Sequence, residues 1–404
     1  MREPHGTGEA SRRALLAGSI GNLVEWYDFA LYGVFATVIA ATFFPDAGPG
    51  GGLLAAFAVF GVAFLARPAG ALLFAHYGDR LGRRRALAAS ILLMALVTAA
   101  IGLLPGRDSI GWLAAVLLVL LRAGQGVAVG GEYGGSAAFV VEYAPSHRRG
   151  WYGGWQWATI ALGLAAGIAT AALLGTVLDG SALRGWGWRL AFLLALPLGL
   201  VGLYIRLRIE ETPRFRAVEL LGAAARTPLA DTLRTARREV VVGFWIVAAV
   251  TATFNIVFVF LPSHLATTGR APLPRALAAA LVGLLLAAGA APLAGWLSDR
   301  VGRRPLLLAG AVVLLVLTVP VTALLSRGEP GGLLLGYSLL GLALGTLVPS
   351  RSWPSCSPRR CATAACRSPT AWRARCSAAP PRPWRPSWCG APATRSRPPG
   401  TPPG

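Results

Sequence analysis

The sequence predicts an all-α membrane protein built from two similar helical halves, and three observations predict it. Ten apolar runs, most of them near the roughly 20 residues that cross a bilayer, are separated by short polar loops. The composition is 55% hydrophobic and 14% charged, with a mean hydropathy of +0.58, which belongs to the membrane class. The loop Asp79-Arg80-Leu81-Gly82-Arg83-Arg84 returns 220 positions later as Asp299-Arg300-Val301-Gly302-Arg303-Arg304, each copy held between two apolar runs. A repeat of this size marks a duplicated half.

Residues 1–13 form a short N-terminus. The first run, 14–42, follows Arg12 and Arg13, is far longer than a signal-peptide core and has no small-residue cleavage site, so it is expected to stay as the first span. Runs at 53–75, 86–104, 111–131, 151–175 and 188–207 complete a six-helix bundle over 14–208. The polar stretch 209–239 reads as the linker between bundles. Runs at 240–262, 276–297, 306–325 and 331–349 supply four helices of a partial second bundle over 240–349, and Pro262 is expected to kink the first of them.

The formal charge of +21 would suggest nucleic acid in a soluble chain, but every basic residue is an arginine placed mainly between apolar runs. Arg80, Arg83, Arg84, Arg85, Arg148, Arg149, the stretch from Arg206 to Arg238, Arg300, Arg303 and Arg304 all fall in loops of one side. That asymmetry places the N-terminus and both repeated loops in the cytoplasm. All five cysteines lie after residue 355, so 1–349 can form no disulfide and no cysteine metal site, and neither metal nor cofactor is expected.

Polar residues inside the spans carry the chemistry. In the first run Asn22, Glu25, Asp28 and Tyr32 recur along one side of a helix, with Trp26 and Phe29 beside them. A charge near the bilayer centre costs roughly 2.5 to 3.5 kcal/mol on insertion scales, so these carboxylates need partners or a polar cavity. The fourth run offers Arg122, Gln125 and Glu132, with Arg122 the counter-charge for Asp28, for Glu25 or for an anionic substrate. The bland alternative is an ion pair that only locks two helices together. Gly130, Gly131, Gly134 and Gly135 fit either close helix packing or a flexible gate. Thr251, Asn255 and Phe258 share a face of the seventh run and offer the second half's share of a site. In the repeated loops a basic turn alone would serve topology, with the acid capping the next helix. The recurring Asp79 and Asp299, with Arg80, Gly82, Arg83, Arg84, Arg300, Gly302, Arg303 and Arg304, instead suggest a charge-paired conformational latch.

Five stretches together carry a family resemblance: GNLVEWYDFALYG from Gly21, HYGDRLGRRRAL from His76, RAGQGVAVGGEYGGSAAFVVEYAP from Arg122, EETPRF from Glu210 and GWLSDRVGRRPLL from Gly295. They resemble the major facilitator superfamily, and within it the metabolite:proton symporters that include dicarboxylate, shikimate and proline/betaine carriers. The first loop copy has Ala75 where that family's motif opens with Gly, while the second keeps Gly295. The resemblance implies a twelve-helix fold, six per half, that moves a small solute with protons by alternating access. It assigns proton coupling and solute binding to Asp28, Glu25, Arg122 and Glu132. It also implies a multi-pass carrier of the inner (plasma) membrane, not an enzyme, acting as a monomer on a small molecule with no nucleic-acid partner. Trp26, Tyr27 and Tyr32 suit a quaternary ammonium and Arg122 suits a carboxylate, so a betaine and a dicarboxylate both stay open.

From Ser350 to Gly404 the chain has no Leu, Ile, Val, Phe, Met, Asp or Glu, but ten Arg and twelve Pro. Such a segment cannot insert as a helix. The expectation is a disordered, frameshifted tail in place of helices eleven and twelve, and a non-functional truncated product is the alternative reading of the whole chain.

Overall fold

A computed structural model describes residues 7–48, 50–208 and 237–347. Among the described residues nine helices are long and apolar enough to cross a membrane, and a bent pair makes a tenth. Helix α1 is that pair, Thr7–Val34 followed by Ala36–Phe43, with a 66° bend at Phe35 that the single run 14–42 did not announce. Helices α2 (Gly51–Leu81), α3 (Arg83–Leu103), α4 (Leu113–Tyr143) and α5 (Arg149–Val177) follow, and α6 crosses as Gly180–Leu207 with a π-helical turn at Leu183–Gly187.

In the second half α7 runs Arg237–Asn255, widens into a π-helix at Ile256–Phe260 and ends as Leu261–Thr267. The expected disturbance at Pro262 is present, but it sits before the proline: lacking an N–H and clashing with the preceding turn, Pro262 forces the backbone wide upstream. Helices α8 (Leu273–Val301), α9 (Arg303–Ser326) and α10 (Pro330–Leu347) complete the described bundle. The linker residues 209–236 and the tail 348–404 lie outside the described residues.

The repeated motif is a repeated backbone shape. Gly82 between α2 and α3 has φ +94°, and Gly302 between α8 and α9 has φ +98°, so each copy turns the chain on one residue in a conformation that side chains rarely adopt. The helices run into the motif: Asp79 and Arg80 belong to α2, and Asp299 and Arg300 to α8.

Small residues set the packing. A Cβ at Gly70 would collide with the Val127 backbone, at Gly126 with the Ala63 carbonyl and at Gly130 with the Arg67 carbonyl, so α2 and α4 cross backbone to backbone. That observation favours packing for Gly130 and Gly131. The bundles meet in the same way, Gly150 and Gly154 of α5 lying against Gly295 and Ala291 of α8. One continuous buried cluster spans both halves and includes Trp26, Phe29, Tyr32, Phe60, Phe254 and Phe258. Helix α9 is apolar and exposes most of its length, with Val321 and Leu325 turned inward, as a lipid-facing helix does.

Candidate functional site

The centre of the N-terminal bundle holds a fully buried charge pair. Arg122 Nη1 of α4 donates to Asp28 Oδ2 of α1 at 2.8 Å, and both side chains are 0% exposed. Gln125, one turn on from Arg122, accepts from the same Nη1 at 2.5 Å and passes its own Nε2 to Asp28 Oδ1 and to Thr98 Oγ1 of α3, each at 2.8 Å. The guanidinium lies 3.6 Å from the Tyr32 ring centroid and 5.5 Å from that of Phe60. Tyr32 is fixed in turn by donating its hydroxyl to the Ala56 carbonyl at 3.0 Å.

Two donors of Arg122, Nε and Nη2, are buried and make no hydrogen bond. Unused donors on a buried cation are costly, about 1 to 3 kcal/mol for a polar group and more for a charged one, so they are the natural landing place for an anion.

Glu25, three residues before Asp28, is 1% exposed and takes Arg67 Nη2 of α2 at 3.3 Å, while its other oxygen is buried without a partner. Arg67 lies 4.3 Å from the Phe64 ring centroid. Glu132 is closed in by Arg206 of α6, which contacts both its oxygens, and by Ser90 Oγ of α3 at 2.9 Å. Arg206 also donates to the Leu87 carbonyl at 2.7 Å. Gly21 leaves the gap in α1 through which this pair reaches, because a Cβ there would overlap both side chains. Glu25, Ser90 and Glu132 line one small cavity with room for about one water molecule.

Asn22 belongs to a third polar string, through Ser136 Oγ at 3.5 Å and on to Gln156 of α5 at 3.2 Å. Tyr27 turns away from Arg122 and donates to the Ala191 carbonyl of α6 at 3.0 Å. Trp26 packs edge-on against Phe254 of α7, ring centroids 5.4 Å apart, and so faces the other half. Asn255 donates back to the Thr251 carbonyl at 2.8 Å and leaves Oδ1 buried and unpartnered.

In the repeated loops Asp299 reaches across the bundle boundary. Its carboxylate accepts the backbone N–H groups of Gly150 at 2.8 Å and Trp151 at 3.0 Å, capping α5. The acid therefore caps a helix of the other half, neither the next helix nor an arginine side chain. Arg300 stacks on Trp296 of its own helix at 3.9 Å, and Arg84 donates to the Leu207 carbonyl at the end of α6. The side chains of Asp79, Arg80, Arg83 and Arg304 lie outside the described residues.

Sequence reading missed Arg67, Ser90, Thr98 and Arg206. A lone arginine inside an apolar run is a signal, so Arg67 was legible. Arg206 was counted with the loop arginines, yet it is 3% exposed in the last turns of α6. Ser90 and Thr98 carry no signal of their own.

Three ion pairs built on acids of α1 and α4, a duplicated loop geometry and ten spans fit a carrier, and comparison with known proteins decides the family: residues 15–354 match the Major Facilitator Superfamily. The chain belongs to that superfamily. This facilitator is 37% identical over 362 residues to the proline/betaine transporter of Escherichia coli (strain K12), covering 86% of this chain and 72% of that one. It is 38% identical over 309 residues to the shikimate transporter of the same organism, covering 75% and 70%. Its fold matches a solved proton:xylose symporter with a TM-score of 0.71 at 18% identity, covering 86% and 82% of the two chains. The facilitator fold of two helical bundles is thereby shown, and the protein is a multi-span membrane transporter rather than an enzyme.

Proposed function

We propose that this facilitator imports a small metabolite bearing a carboxylate, a zwitterionic osmolyte or a plain carboxylate, together with protons by alternating access. The observation that carries the reading is Arg122, a buried guanidinium half committed to Asp28 with two donors unused. Proton and solute then compete for one cation. When Asp28 takes a proton its hold on Arg122 weakens, and the freed fork can grip a carboxylate in two parallel hydrogen bonds. Proline, betaine and shikimate, named for the relatives, each carry a carboxylate.

Glu25, with one free oxygen, is a second proton carrier in this scheme. Glu132, also expected to carry a proton, is already matched by Arg206 and serves by holding α1, α3, α4 and α6 in register. The Asp299 cap on α5 holds the loop end of the bundles together in one state and lets go in the other. For Asp79 the same role rests on the sequence repeat alone. The arginine asymmetry places the N-terminus and both loops on the cytoplasmic side of the inner membrane, where the protein works as a monomer.

The test is uptake into proteoliposomes with an imposed pH gradient and a panel of proline, betaine, shikimate and dicarboxylates. Asp28→Asn should abolish accumulation but retain solute exchange, and Arg122→Gln should lose both. Uptake indifferent to the gradient would overturn the coupling. The composition of Ser350–Gly404, which cannot form a membrane helix, favours a second reading, a non-functional product, which predicts no solute movement in this assay.

A further inference from the structure

Along the α5–α8 crossing, three tryptophans each stand one position after a glycine that makes the contact. A Cβ at Gly150 or Gly154 of α5, or at Gly295 of α8, would strike the backbone of the other helix. Trp151, Trp155 and Trp296 are the next residues. The helices run in opposite directions, since Gly150 meets Gly295 while Gly154 meets Ala291. One residue turns a helix by about 100°, and in an antiparallel pair that step carries the following side chains of both helices to the same side of the contact. The three indoles therefore wall one side of a notch floored by glycine.

This side is the outer one. Trp155 is 37% and Trp296 44% exposed, and Leu293 continues the apolar surface toward mid-membrane at 64%. The opposite side of α5 carries Trp157, which packs inward on Phe254 with ring centroids 6.3 Å apart. At the loop end of the notch the exposed Arg300 lies over the Trp296 ring at 3.9 Å. Stacking uses a face of the guanidinium and leaves its in-plane N–H groups for an oxygen. Arg148, in the turn that enters α5, is exposed at the same end. The acid of this edge, Asp299, is committed to the Gly150 and Trp151 N–H groups, so the edge stays cationic.

These features select one kind of occupant. Indoles favour the boundary between headgroups and acyl chains, arginines meet phosphate, and the exposed leucine below suits a hydrocarbon chain. A soluble anion would use the arginines and ignore the rings. We propose that the α5–α8 seam seats one anionic phospholipid of the leaflet on the repeated-loop side, its phosphate on Arg300 and Arg148 and its glycerol and upper chains in the notch beside Trp151, Trp155 and Trp296. The seat is independent of the solute proposed above.

The experiment is native mass spectrometry of the full chain in detergent, titrated with phosphatidylglycerol or with phosphatidylcholine of the same chains. Wild type should hold one phosphatidylglycerol in preference to phosphatidylcholine. Arg300→Gln and Arg148→Gln should each weaken phosphatidylglycerol about five-fold and leave phosphatidylcholine unchanged. Trp155→Leu/Trp296→Leu should weaken both lipids. Arg208→Gln should change nothing: Arg208 is likewise exposed and lies over a ring, that of Tyr204 at 4.9 Å, at the end of α6 outside the seam. No preference in wild type, or equal losses in Arg208→Gln and Arg300→Gln, would overturn the seat and leave a generally basic surface. Complete displacement of the lipid by inorganic phosphate would overturn it in favour of a free-phosphate site.

Discussion

Replacing Asp299 by alanine removes a carboxylate that caps α5 from the opposite bundle. Two backbone N–H groups, Gly150 at 2.8 Å and Trp151 at 3.0 Å, lose their acceptor. Hydrogen bonds to a charged group contribute about 1.5 to 3 kcal/mol each, and the helix N-terminus adds about 0.3 to 1 kcal/mol. Water replaces part of this once the loop end opens, because Asp299 is only half-buried. A net loss of about 2 kcal/mol is the reasonable scale, roughly a 30-fold shift toward the state in which α5 and α8 separate. The shift can be read by electron–electron resonance between spin labels at His147→Cys and Val301→Cys. Both are exposed residues flanking the boundary, and the five native cysteines are first replaced by serine. Asp299→Ala should move the distance distribution toward longer separations, and Asp299→Asn, which keeps one acceptor oxygen, should move it less. A distribution unchanged from wild type would refute the latch, since the cap would then be equally dispensable in every state.

Glu132→Gln leaves Arg206 buried beside a neutral partner, and should destabilise the protein by about 3 to 5 kcal/mol, read as a fall in melting temperature in detergent. Glu132→Leu/Arg206→Met should recover most of that loss; failure to recover would show that the pair does more than hold helices. Gly283→Ala should disrupt the α8–α10 crossing, because its Cβ would meet the Tyr337 carbonyl, at a cost of about 1 to 3 kcal/mol in the same melting assay. Asp179 caps the start of α6, and its hydrogen bonds from Ala182 N–H and Ser181 hold its carboxyl below the usual range. A depressed carboxyl gives stability that is present above its unfolded value and lost as pH falls through the lowered one. Protection of the Ala182 amide in hydrogen exchange should therefore persist through mildly acid pH in wild type and be absent at all pH in Asp179→Ala.

The sequence alone determined the spans and the duplication, and it marked Asp28, Glu25 and Arg122 as intramembrane charges without choosing the pairing. Each follows from local or summed properties: about 20 apolar residues cross a bilayer whatever surrounds them, and an intramembrane Asp28 and Arg122 must find counter-charges because lipid offers none. Nothing local distinguishes Glu132 from Asp28, since both are acids on helices with arginines within reach. Only the packing decided that Arg206 swings back from the end of α6 through the gap at Gly21 to close Glu132, while Asp28 shares an Arg122 with donors to spare. Likewise the repeated Asp marked a contact at the loops but not its mate. The N–H groups of Gly150 and Trp151 are invisible in sequence, because every residue except proline has one and tertiary structure alone frees two of them at a helix start. That Trp151, Trp155 and Trp296 share one side of the α5–α8 crossing depends on which glycines meet there. Helix rotation is fixed by contacts between distant parts of the chain, so no periodicity within one helix could have shown which rings would share a side.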